Sequence, residues 1–129
     1  MSAYFRADLV LRVALAMVLL SHSLHGIFTG NDVHDFGALF LNQVGFAPFG
    51  VALAWLVVIT QIVSALLLLW GRFIRICAVW NGLILLTGIA LVHFREGWFV
   101  VGGGRNGMEF SVVLMAILVF LFLERKDWR

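Results

Sequence analysis

The residues of this chain best able to do chemistry are His22, His25, His93 and Glu109, together with Gln61 and the group Asp32, His34 and Asp35. Imidazole changes charge near neutral pH, and a carboxylate in a low dielectric resists ionising unless it is paired. Such a set can transfer protons, hydrogen-bond to a carbonyl or bind a metal. His22 and His25 are three residues apart, so on a helix they share one face. Histidines and a glutamate around one cavity suit a quinone, whose reduction takes up protons. The structural alternative is that these groups bond to one another and hold helices in register. Spacings such as His-Glu-x-x-His or Cys-x-x-Cys-His do not occur, so neither haem nor metal is expected. Quinone is the one cofactor the cluster suggests. Gln61, with Ser64 one turn on, reads first as an interhelical hydrogen-bonding amide and second as a ligand contact.

The elements that position these residues are lipid-embedded helices. Of the 129 residues, 63% are hydrophobic and 12% charged, against about half and about a quarter in soluble domains. A core this small cannot hide so much apolar surface, whereas side chains facing hydrocarbon incur no such cost. Four apolar stretches, about 9–28, 46–70, 74–92 and 106–123, approach the roughly 20 residues that cross a bilayer. They form a single domain over 1–129. Ala14-Leu15-Ala16 resembles a signal-cleavage triplet, but the apolar run before it is short, is interrupted by Arg12 and continues to Leu20, which favours a retained anchor. The net charge of +2 comes from arginines flanking apolar segments, without the basic face of a nucleic-acid binder. Cys77, the single cysteine, lies in an apolar run and reads as a quiet buried side chain.

Basic residues orient the spans, because cytoplasmic flanks retain positive charge during insertion. Arg6, Arg12, Arg72, Arg75, Arg125, Lys126 and Arg129 fall on one side, and only Arg95 and Arg105 on the other. Both termini are therefore expected in the cytoplasm. Tyr4, Trp70 and Trp128 suit an inner aromatic belt and Trp98 an outer one. The connection 29–48 is too long and apolar for a simple hairpin. Asn31 or Asp32 can cap a short helix carrying Val33, Phe36, Leu39 and Phe40 at helical spacing, with Gly45 ending it and Pro48 opening the next span. Such a helix would lie on the outer surface as a lid. In this topology His22, His25, His93 and Glu109 all come to the outer half.

Taken in order, Ser21-His22-Ser23-Leu24-His25-Gly26, then Gln61 to Leu69-Trp70-Gly71-Arg72-Phe73-Ile74-Arg75, then His93 and Gly103 to Glu109, these motifs resemble the DoxX family. That family's pattern has His-Gly late in helix one, a carboxylate and Gly-x-x-x-Arg in helix two, and Gly-x-Glu opening helix four. Here Gln61 stands in place of the carboxylate, and Ile27 and Phe28 stand where a lysine often follows His-Gly. The resemblance implies a four-helix inner-membrane protein. Its relatives include the small membrane subunit of thiosulfate:quinone oxidoreductase and proteins of thiol and oxidative-stress metabolism. A relative in methylamine utilisation is associated with disulfide formation, which Cys77 alone cannot perform.

The expected molecule is all-α: an integral membrane four-helix bundle of the bacterial inner membrane, with a short amphipathic outer helix between helices one and two. Its expected role is that of a subunit in a redox-associated complex. Its outward polar cavity, formed by His22, His25, Gln61, His93 and Glu109 beneath a lid bearing Asp32, His34 and Asp35, would bind quinone or a similar small molecule. It is at most part of an oxidoreductase. Expected partners are the lipid bilayer, a redox protein or a second copy. The contrasting expectation is a non-catalytic scaffold or assembly factor.

Overall fold

In hydrocarbon no water satisfies backbone N–H and C=O groups, so long apolar segments wind into helices that satisfy them internally. The computed structural model describes residues 3–129, with side chains from Arg6 onward, so the Tyr4 side chain lies outside the described residues. Helix α1 is Ala3–Phe28, α2 is Asp32–Asp35, α3 is Gly50–Trp70, α4 is Ile74–Gly88, α5 is Phe94–Glu96 and α6 is Glu109–Glu124. A wider, π-type winding continues α2 through Phe36–Phe46, and a similar one, Ile89–His93, joins α4 to α5. Three helical segments are long and apolar enough to cross a membrane: Arg6–Phe28, Gly50–Trp70 and Ile74–Glu96. Helix α6 is equally apolar but has 16 residues, about 24 Å at 1.5 Å per residue.

The first span begins at Arg6 rather than Leu9, and three further boundaries shift. The second span begins at Gly50, not Phe46, because Phe46 to Phe49 form a turn closed by Phe49 N–H donating to Phe46 O at 2.8 Å, with a cis Ala47–Pro48 bond inside it. The third runs on to Glu96, since the π-type winding carries it past Val92 without a break. The fourth begins at Glu109, not Asn106: Met108 N–H and Glu109 N–H donate to Gly97 O and Trp98 O, both at 3.0 Å, and so tie the preceding residues into the loop after α5. The lid helix starts at Asp32, but the Asn31 side chain forms no cap hydrogen bond. As expected, Gly45 ends the lid, at φ +118°.

Helix α1 packs chiefly on α3, α4 on α6, and the lid along α3. The main core, with Leu15, Leu68, Ile74, Leu118 and Leu121 at its centre, occupies the end of the bundle that carries both termini. A second cluster of Val33, Leu41 and Ala54 joins lid to α3. The lid's buried residues, Val33, Gly37 and Leu41, recur every fourth position, so one stripe faces α3 while Phe36 and Leu39 face outward. Large apolar side chains such as Met17, Leu66, Leu83 and Val113 stay exposed around the helices. That is the surface a lipid solvent accepts.

Candidate functional site

Glu109 and His93 meet the same loop, the one between α5 and α6. As the first residue of α6, Glu109 points its Oε1 back at the loop and accepts from Val100 N–H and Val101 N–H, both at 2.8 Å. His93, at the end of the π-type winding, donates from Nδ1 to Asn106 O at 2.8 Å, since a carbonyl oxygen can only accept. Arg105 reaches Glu96 at 3.0 Å across the base of that loop. Gly107 is buried there with no room for a Cβ, which would stand 2.6 Å from Phe99 O. The histidine and the glutamate thus satisfy backbone groups of one loop, and no hydrogen bond joins them to each other among the described residues.

His22 and His25 lie on an exposed face of α1 within its last two turns. Thr29 Oγ1 stands 3.4 Å from His25 Nδ1, one helical turn away. Gln61 lies deeper, buried, with its Oε1 accepting from the fully buried Ser23 hydroxyl at 3.1 Å. In the lid, Asp32, His34 and Asp35 are all exposed, and His34 and Asp35 stand 3.7 Å apart. A cavity of about 60 Å³ lies beneath the lid, lined by Gly26, Ile27, Gly30, Asn31, Val33, His34 and Trp55. Small-molecule sites usually occupy about 300–1,000 Å³, so this one has room for water rather than for a quinone ring. Among the described residues no group of three His, Cys, Asp or Glu has metal-holding geometry.

The polar groups that the sequence reading passed over sit at the opposite end. By sequence, Arg12 is a flanking charge and an interruption of the first apolar run. In the fold it is 6% exposed, donating from Nε to Asp8 Oδ2 at 2.9 Å and from Nη1 to Leu68 O at 2.8 Å. Arg125, just past α6, bonds the same Asp8 oxygen at 2.7 Å. Gly71, left-handed at the end of α3, leaves space for Arg12, whose Nη1 would lie 2.9 Å from a Cβ there. The Arg75 guanidinium packs against both the Phe122 and Trp128 rings, 4.1 and 4.5 Å from their centroids, where the two rings meet edge to face. Together these contacts bind the N-terminal helix, the α3–α4 turn and the C-terminal tail. The available signal was the Asp8–Arg12 spacing, i to i+4, inside an apolar run that continued past it.

Cys77 is 3% exposed, its thiol donating weakly to Ser64 O at 3.9 Å. Trp80 Nε1 donates to Thr60 Oγ1 at 2.8 Å, a second tie between α4 and α3. Asn81 Nδ2 donates to Cys77 O at 2.8 Å, while its buried Oδ1 has no donor among the described residues.

Searches of curated proteins and of solved structures return no match. The DoxX family pattern matches residues 7–94. That stretch takes in α1, the lid, α3, α4 and the π-type winding that carries His93, and leaves α6 and Glu109 outside. Covering well over half of the chain, the match shows that this protein, an apolar helical molecule suited to the membrane, belongs to the DoxX family.

Proposed function

We propose that this protein is a membrane subunit of a redox-associated complex, crossing the bacterial inner membrane four times with both termini in the cytoplasm, and that its outer half binds a quinone or similar small molecule at a surface completed by a partner. The observation that carries this reading is that His22 and His25 are exposed in the last two turns of α1, a helix long and apolar enough to cross a membrane, which the proposed orientation would put in the outer half. An ionisable side chain at such depth is costly unless something covers it. A quinone carbonyl or a partner's polar group would do so. Neither cofactor nor partner need be enclosed by this chain alone. The test is quinone-dependent turnover of the complex purified from its own membrane. His22→Asn and His25→Asn proteins that assemble normally are expected to lose at least about tenfold, because a positioned acid or base contributes about a hundredfold or more. Unchanged turnover would favour a second reading, a non-catalytic scaffold. That reading draws on Glu109 and His93, both of which spend their hydrogen bonds on the outer loop.

The proposed orientation rests on the basic residues, seven of which lie at the end of the bundle that carries both termini. Asp35→Cys and Arg105→Cys are expected to react with an impermeant thiol reagent applied from outside, and Lys126→Cys only after the membrane is opened. Cys77 should stay silent in every sample, since burial keeps the reagent away. Labelling at Lys126→Cys alone in intact cells would reverse the assigned orientation.

A further inference from the structure

Asn81 is 4% exposed, and its Oδ1 is buried without a protein donor among the described residues. An unmet buried carbonyl costs about 1–3 kcal/mol, and natural interiors rarely retain one unless water or another group meets it. Two contacts fix what lies opposite. Trp80 bonds Thr60 and Cys77 bonds the Ser64 carbonyl, so α3 and α4 run antiparallel with position 81 level with positions 59 and 60, next to Gln61. Gln61 and Ser64 form the buried stripe of α3 at that level, and Cys77 and Asn81, one turn apart, form that of α4. Gln61 receives Ser23 on Oε1. An amide also carries two N–H donors on Nε2, and no protein acceptor takes them among the described residues.

We infer that this layer, midway along the bundle, is a binding site for one buried water, which donates to Asn81 Oδ1 and accepts from Gln61 Nε2. A water is the smallest ligand that answers an acceptor and a donor at once, and buried waters make about three such bonds. The site links α1, α3 and α4 through Ser23, Gln61, the water and Asn81.

Two measurements on the full chain in lipid bilayers test this. Water-edited solid-state NMR of protein labelled at Asn and Gln side chains should show magnetisation passing from water to the side-chain amides of Asn81 and Gln61, assigned by their loss in Asn81→Leu and Gln61→Leu. No transfer to either amide would overturn the proposal, as would a direct Gln61–Asn81 amide contact. Thermal unfolding supplies a sign. If Oδ1 were dry and unmet, Asn81→Leu would raise Tm by removing it. With water bound, the same change strips Gln61 of its partner, and Tm should fall by roughly 4 °C or more. The double variant Gln61→Leu/Asn81→Leu should then fall by less than the sum of the single changes. A raised Tm in Asn81→Leu, or strict additivity, would also overturn it.

Discussion

Asp8→Asn is expected to destabilise the protein by about 3–5 kcal/mol, the usual cost of removing one member of a buried ion pair. The carboxylate is buried between two guanidiniums, with Arg12 at 2.9 Å and Arg125 at 2.7 Å on the same oxygen. Arginine stays charged at any ordinary pH. Losing the negative charge therefore leaves Arg12, 6% exposed, as a buried cation with only neutral acceptors, the Leu68 carbonyl and the new amide oxygen. Arg125→Ala should cost far less, about 1 kcal/mol or below, because its side chain is 32% exposed and water shares its charge. The double change Asp8→Asn/Arg12→Met should recover much of the loss, since it removes the stranded charge along with its partner. Denaturant titration in mixed micelles gives the three values. A loss in Asp8→Asn no larger than in Arg125→Ala would show that the pair is not the fastening described above. Gly71 belongs to the same fastening: its left-handed backbone, φ +86°, and its closeness to Arg12 leave alanine doubly unfavourable.

Gly37→Ala and Gly50→Ala are expected to lift the lid from α3. At each glycine an added Cβ would overlap the backbone of the other strand of the contact, Gly50 and Val51 in one case and Gly37 in the other. Backbone cannot yield as a flexible side chain does, so overpacking here should cost about 1–3 kcal/mol or more. At Gly50 the Cβ also meets the Asn42 amide, whose Oδ1 receives Gly50 N–H at 2.8 Å and pins the lid to the start of α3. The readout is the accessibility of a cysteine placed at the buried Leu41. In either variant its labelling rate should rise at least about tenfold, the effect of a 1.4 kcal/mol shift in an opening equilibrium. Gly45→Ala is the contrast. Its φ of +118° makes alanine strained, yet no neighbour lies within 4 Å, so its effect should stay local and leave Leu41 covered. Equal labelling in all three would detach the lid's seating from the Gly37–Gly50 contact.

The placement of polar groups shows how far sequence patterns reach. Periodicity located the lid as a helix but not its buried face: of Val33, Phe36, Leu39 and Phe40 only Val33 is buried, and the stripe on α3 is Val33, Gly37 and Leu41. Gly45 and Gly71 mark ends of helical segments because their positive φ values suit glycine. The directions of Glu109 and His93 were not legible. Both meet the loop between α5 and α6, but whether a carboxylate answers an imidazole or a pair of backbone N–H groups depends on a loop path that no spacing encodes.

The amino-acid sequence by itself determined that this is an apolar, all-helical molecule of the DoxX family, since hydrophobic run length and the order of short Gly, His and Arg motifs are local properties read along the chain. Only the tertiary structure decided which polar residues meet. Asp8 and Arg125 are separated by 117 positions and share one hydrogen bond. Ser23 and Gln61 are 38 apart and share another. Helix register and rotation, set by the packing of the Leu15, Leu68, Ile74 and Leu121 core, bring such pairs within the 3 Å or so that a hydrogen bond requires.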